Sequence, residues 1–490
     1  MTNFHVPKTM STQHPDNVVT PFFSDNSELG GEDEIKEAFY AYSHIKCQEQ
    51  LWDCEGKEVD NYVVKKLLTG YESYFRDHKF GKDVFLTLRV PNPYFEKTEA
   101  KILLETLESI PRSFDAAKLF YGENIAPIFE VALPMVKKSE DLLMVSRYYK
   151  KYVVGKKHSI LGNVKISEWI GDFQPERINI IPLFEDKESI LNASQEVKKF
   201  IKAEKIHGYQ RVWLARSDPA LNYGSLANIL LVKIALQRLH KLQQELSVDI
   251  LPIIGCGSAP FRGNLRPDNA ENCLKEYPSV HTFTLQSAFK YDYPIDSVEK
   301  AVEKINKSSR KNPIAVDEDK CLSIIEKLTK SYLGQVMPLA PLINEISPYI
   351  PSRRKRKLHI GLFGYSRSIG KSKLPRAINF CGSLYSLGIP PEVLGLSALT
   401  SKEREYILSI YPSFYEDLKD SLRFLNKENF KILAKDLFEK IQDVLKIADY
   451  EENPKHKKIT SIILKDFKSG NTPMLQENII RAGFIRGFLG

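Results

Sequence analysis

The sequence predicts an α/β fold: a TIM-type (β/α)8 barrel with additional helices forming a C-terminal helical subdomain. Three observations point there. Six short apolar runs recur between residues 84 and 286, their starts about 31 to 53 residues apart, which suits one strand and one helix per unit. The runs are apolar throughout rather than alternating, the pattern of parallel strands covered on both faces, and a closed barrel of ~250 residues is the simplest solution. Beyond about residue 295 the texture changes to helical spacing with Lys and Glu on the wet face.

In chain order, the stretch leading into His14 is read as one strand, and residues 32–79 as a helical insertion. The six runs follow: VFLTLRV (84–90), IAPIFEVAL (125–133), INIIPLF (178–184), RVWLA (211–215), ILPIIG (250–255) and HTFTLQ (281–286). LHIGLFG (358–364) is a candidate for another strand, and the eighth is left unplaced. Residues 1–295 are thus expected to hold most of the barrel. Residues 296–490 are expected to be mainly helical, to complete the active site through the basic segments at 351–376, and to supply oligomer contacts. Each run ends in polar or turn-forming residues, among them Arg89, Glu185, Asp218 and Gln286. A barrel gathers such ends at its C-terminal mouth, where active sites of this fold lie. An open doubly wound sheet would also place them on one edge.

Composition narrows the class. With 42% hydrophobic and 27% charged residues, the 490-residue chain reads as an ordinary globular enzyme. No run approaches the ~18 apolar residues of a membrane span, and the N-terminal stretch has no apolar signal core, so a cytoplasmic protein is expected. The six cysteines form no CxxC pair and are read as free thiols in a reducing compartment. A net charge of +8 is compatible with an anionic substrate, with an acidic partner, or with neither.

Several segments bear on chemistry. In Ser11-Thr12-Gln13-His14-Pro15-Asp16-Asn17, Pro15 fixes the backbone beside an imidazole, the side chain whose pKa suits proton transfer near neutrality. Glu185 and Asp218 close consecutive runs, so a barrel makes them neighbours able to hold Mg²⁺ or Mn²⁺ through hard oxygens; the structural alternative is a pair of helix N-caps. Arg89, Arg216, Arg262, Arg353 and Arg376 form the complementary set, and Arg262 lies in the small-residue loop Gly255–Gly263, suited to close approach by an oxyanion. The stretch from Gly364 to Ser372 has five residues between its glycines where a P-loop needs four, so a mobile basic loop is the better reading. The basic run Arg353–Lys357 lacks interleaved aromatics, so nucleic acid is not expected.

Together these segments resemble phosphoenolpyruvate carboxylases of the short, archaeal-type class, over most of the chain. STQHPDN is similar to that class's opening and, by resemblance, makes His14 the catalytic histidine. LRVPNP, PSRRKRK and LPRAINF resemble the substrate-side arginine segments and imply Arg89, Arg353 and Arg376. IPLFED and ARSDPALNYG resemble the metal-binding segments and imply Glu185 and Asp218. GCGSAPFRG is similar to the family's doubled glycine-arginine loop, whose second arginine falls on Arg262. The first falls on Cys256, and the lysine that follows the metal aspartate in the long class falls on Leu221, which puts effector control in doubt. The start of the chain likewise leads to the expectation of no regulation by N-terminal phosphorylation. The resemblance implies carboxylation of phosphoenolpyruvate by bicarbonate to oxaloacetate and phosphate, with Mg²⁺ (or Mn²⁺), in a homotetramer. Another metal-dependent barrel lyase acting on a 2-oxo acid or enolate, or a basic nucleic-acid-binding protein, is the alternative.

Overall fold

A computed structural model describes residues 5–56, 60–355, 367–369 and 372–490. Its centre is a closed barrel of parallel strands: β1 (Thr9–Ser11), β2 (Glu49–Asp53), β3 (Phe85–Arg89), β4 (Glu130–Leu133), β5 (Asn179–Phe184), β6 (Tyr209–Ala215), β7 (Asp249–Gly255) and β8 (Thr282–Leu285). Each strand pairs with its sequence neighbours. Ser11 of β1 closes the ring, lying beside Leu285 on one side and Gln50 on the other. The six apolar runs all contribute strands, and the closed parallel topology excludes the open sheet.

Side chains alternate along each strand, so the interior is layered. Leu51, Ala132, Ile181, Trp213 and Ile253 fill an apolar middle layer. Two residues earlier on their strands, Glu49, Glu130 and Arg211 form a charged layer below. Arg211 donates to Glu49 Oε1 at 2.8 Å and Oε2 at 2.7 Å, and to Glu130 Oε2 at 2.8 Å. Removing one partner would leave an uncompensated charge in the core, at a cost of about 3–5 kcal/mol.

The eighth strand corrects the sequence reading. It is β2, inside the 32–79 segment read as helical, between the helices Glu32–Ser43 and Val63–Gly70. Its sequence, Glu-Gln-Leu-Trp-Asp, lacks an apolar run because Glu49 and Asp53 pair with arginines of other strands. The candidate strand at 358–364 lies outside the described residues; nearby, Arg367–Ile369 and Ser372–Leu374 pair antiparallel.

Beyond the barrel, helices Glu318–Val336, Ala377–Ser386, Ser401–Ile410, Pro454–Ser469 and Thr472–Arg486 pack beside it. The last of these sends the chain back towards the mouth, where the Leu489 N–H donates to the Asp16 carbonyl at 2.8 Å. Among the described residues no helix is long and apolar enough to cross a membrane. All six cysteines are free and buried.

Candidate active site

The C-terminal ends of the strands enclose a cavity of about 270 Å³. His14, Arg89, Glu185, Asp218, Arg262, Arg353 and Arg376 all line it. Residues scattered over 363 positions of sequence thus face one space, because parallel strands bring their C-terminal ends together.

His14 lies just past β1. Its Nδ1 is 2.9 Å from Thr12 Oγ1, and its carbonyl accepts N–H bonds from Asp16 and Ser287. The turn is anchored by Asp16, which accepts from the Ala288 N–H at 2.7 Å and from Arg262 Nη1 at 3.1 Å. Below it, Lys290 donates to Ser11 Oγ at 3.0 Å, to the Thr12 carbonyl at 3.0 Å and to Glu37 at 2.9 Å. Glu37 also receives both contacts of Arg354 Nη2, tying the His14 turn to the segment that carries Arg353. Burial opposes ionisation of Glu37, but Arg354 and Lys290 outweigh it and hold the carboxyl well below its usual range.

The carboxylate pair resolves against the capping alternative. Asp186, not Glu185, caps the helix Lys187–Glu204, accepting from the Glu188 and Ser189 N–H groups. Glu185 is left facing the cavity, with Oε2 accepting the Met135 N–H at 2.7 Å. Asp218 lies in the first turn of the helix Ser217–Tyr223, one residue past its start, and is no cap. Burial first, then the charges of Asp218 and Glu55, push the Glu185 carboxyl up to about 8. Two hard-oxygen side chains with this electrostatic deficit fit a divalent cation. Among the described residues no third His, Cys, Asp or Glu joins them in a ligand cluster.

The arginines differ in their engagement. Arg89 is held by Asp53 through Nε at 3.0 Å and Nη2 at 2.7 Å, with Glu55 at 3.4 Å. Burial, reinforced by Asp53 and offset by Arg89, pushes the Glu55 carboxyl up to about 7. Arg262 is nearly inaccessible and bridges four elements: Nε donates to Ser217 Oγ at 3.0 Å, Nη1 to Asp16 and to the Gly490 carbonyl at 2.7 Å, and Nη2 to Gln286 at 2.5 Å. Arg353 is buried and donates to the Val18 carbonyl at 2.8 Å. Arg376, at the start of the helix Ala377–Ser386, is exposed.

Sequence reasoning missed Trp213, which lines the cavity and whose buried indole N–H has no hydrogen-bond partner among the described residues. Glycine at 255 gives it room, since a Cβ there would sit 3.0 Å from Nε1 and crowd the ring. It also missed Asp53 and Glu55, which lie at and just past the end of the unrecognised strand, and Glu37. A signal for Glu37 was available: Glu34 and Glu37 interrupt a buried helical face shared with Ala38 and Ala41. Cys256 and Leu221 are fully buried, and burial raises the Cys256 thiol to about 12, which keeps it uncharged.

A closed parallel barrel whose mouth gathers an imidazole, a carboxylate pair and several arginines defines a TIM-barrel enzyme built for an anionic substrate. The particular family follows from sequence comparison. The chain belongs to the phosphoenolpyruvate carboxylase family, whose sequence model matches residues 6–490. Curated relatives called phosphoenolpyruvate carboxylase include that of Methanospirillum hungatei, 51% identical over 487 residues, covering 99% of this chain and all of the relative. That of Methanothermobacter thermautotrophicus is 51% identical over 486 residues with the same coverage, and that of Pyrococcus furiosus 49% over 487. Among solved structures, a citrate lyase from Burkholderia xenovorans aligns at a TM-score of 0.36 and 11% identity, over 66% of this chain and 81% of that one.

Proposed function

We propose that this protein carboxylates phosphoenolpyruvate with bicarbonate, giving oxaloacetate and inorganic phosphate, in the cytoplasm. The observation that carries the reading is the convergence of His14, Glu185, Asp218 and four arginines on one cavity in a member of this family.

Phosphoenolpyruvate is a dense anion and bicarbonate a poor nucleophile, so the site must neutralise charge and bring the two together. Arg353 and Arg376 offer guanidinium groups to phosphate and carboxylate oxygens. Arg89 brings its charge already shared with Asp53 and Glu55, so it orients more than it neutralises. Glu185 and Asp218 would hold a divalent cation, Mg²⁺ or Mn²⁺, which supplies positive charge to the substrate's oxygens. A bicarbonate oxygen attacks phosphorus and the bond to the enol oxygen breaks, leaving carboxyphosphate and the enolate of pyruvate. His14 takes the carboxyl proton of carboxyphosphate, which splits into CO₂ and phosphate, and the enolate carbon adds to CO₂. Arg262 fixes the His14 turn through Asp16, which makes it a positioning residue as well as a wall of the site. The Leu183, Trp213 and Ile350 side chains keep water from protonating the enolate.

The proposal includes assembly as a homotetramer with contacts from residues 296–490. Ile432, Ile462, Met474 and Phe484 are exposed apolar side chains on that region's helices, available to such contacts. A molar mass by light scattering four times the 56.1 kDa of one chain is expected. The test of function is a spectrophotometric assay of oxaloacetate from phosphoenolpyruvate. Formation that requires both bicarbonate and Mg²⁺ or Mn²⁺ is expected, and cleavage of a 2-oxo acid without phosphate release would contradict it.

A further inference from the structure

A second cavity, of about 150 Å³, lies at the opposite end of the barrel from the active site. Its wall is made by the early residues Ile250 and Pro252 of β7, whereas Gly255 at the other end of the same strand lines the active-site cavity. The remaining wall comes from the helix Ser225–Leu246, the loop before β8, and the loop after the helix Ile295–Lys307.

The lining is electrically one-sided. His240, Arg310 and Lys311 contribute the titratable groups, and among the described residues no Asp or Glu lines the cavity. Arg310 is partly buried and donates only to neutral acceptors, the Ile250 carbonyl and, at 3.0 Å, Gln243 Oε1. Among the described residues no carboxylate lies within ion-pair distance of it; Asp249, the acid whose charge acts on it, stands outside the lining. Ser279 is 6% exposed, and its hydroxyl has no hydrogen-bond partner among the described residues. A buried hydroxyl left unpaired is costly, and here it belongs to a residue that lines the space the cations share. The surroundings are cationic as well: His281 is held down to about 4, by burial first and then by Arg211, Arg310 and Lys8.

We propose that this cavity is a separate anion site that takes the phosphate group of a small phosphorylated metabolite. A guanidinium, an ammonium, a hydroxyl and the Asn312 amide supply donors for one oxyanion head. Leu236 and Pro252 give an apolar wall for a short carbon stem, and the volume admits little more. Neither the carboxylate pair nor His14 takes part, so the site is independent of the reaction.

The test is equilibrium binding of inorganic phosphate and of glycerol 3-phosphate to the full-length protein. Four forms are compared: wild type, Arg262→Gln, Arg310→Gln and Lys311→Glu. Expected is a binding event that survives Arg262→Gln, which alters the active site, and weakens at least about tenfold in both Arg310→Gln and Lys311→Glu. Glycerol 3-phosphate should bind more tightly than inorganic phosphate, and turnover of phosphoenolpyruvate and bicarbonate without added phosphate or glycerol 3-phosphate should be unchanged in Lys311→Glu. Lys311 is exposed, so its variant reads the site even if loss of the Arg310 contacts disturbs the fold. Binding unaffected by either substitution, or abolished by Arg262→Gln alone, would overturn the site; tighter binding of inorganic phosphate would overturn the metabolite.

Discussion

Glu185 and Asp186 are adjacent carboxylates with divided duties, and their division shows how single residues define this site. Asp186 spends its oxygens on helix N–H groups, while Glu185 stands beside Asp218 at the cavity with its carboxyl raised to about 8. Asp218→Asn is expected to lower kcat at least about a hundredfold and to raise the metal concentration needed, while circular dichroism and melting change little. Wild-type turnover at limiting Mg²⁺ in that variant would remove Asp218 from the metal site. The seven residues named from sequence could be found because each lies in a short motif or at the end of an apolar run, and all seven line the cavity. The residues that hold them could not. Glu37, Lys290 and Asp53 act through partners 36 to 317 positions away, and no local pattern encodes such pairings.

At the scale of elements, the loop from Gly255 to Gly263 works as a rigid mount. The Gly257 N–H donates to the Arg262 carbonyl at 2.9 Å, which fixes the arginine's backbone. Gly263 adopts φ +127° and a Cβ there would meet Cys256 Sγ at 2.8 Å. Gly263→Ala should therefore cost about 1–3 kcal/mol of stability and lower kcat by displacing Arg262, read by melting and steady-state assay on one preparation. The entry to β8 carries a pH response. His281 is half-buried, and burial first holds its pKa down to about 4, against 6.5 for the free side chain, so the unfolded chain binds the extra proton. Its contribution is full above about pH 6.5 and is lost as pH falls towards 4, by up to about 3 kcal/mol. His281→Gln should flatten the fall in denaturation midpoint between pH 7 and 4; an unchanged slope would assign the acid sensitivity to other groups. Among elements, the six apolar strands could be read from sequence. β2 could not, because a barrel strand that carries buried charge has neither an apolar run nor alternation.

Across the whole molecule, the barrel supplies the floor of the site and the C-terminal region its rim. Arg353, Arg376 and the Gly490 carbonyl come from beyond the last strand, and Arg262 joins them to the His14 turn at the start of the chain. The parallel β/α alternation was legible from strand spacing, and a closed barrel was its simplest solution, but closure itself is fixed only by the pairing of β1 with β8 and β2. The return of the last helix was not legible, since amphipathic spacing shows that a helix has a buried face without showing what it covers. The central claim is that this enclosure carries out two coupled steps, phosphoryl transfer and then carboxylation, with His14 acting between them. It is tested most directly by assaying phosphate, pyruvate and oxaloacetate together in His14→Asn and wild type, with and without bicarbonate. The arginines and the carboxylate pair remain in the variant, so carboxyphosphate and enolate still form, but without the base the enolate is protonated. The variant is expected to make little oxaloacetate yet to release phosphate slowly, dependent on bicarbonate and matched by pyruvate. Oxaloacetate still equal to phosphate in His14→Asn would contradict the account.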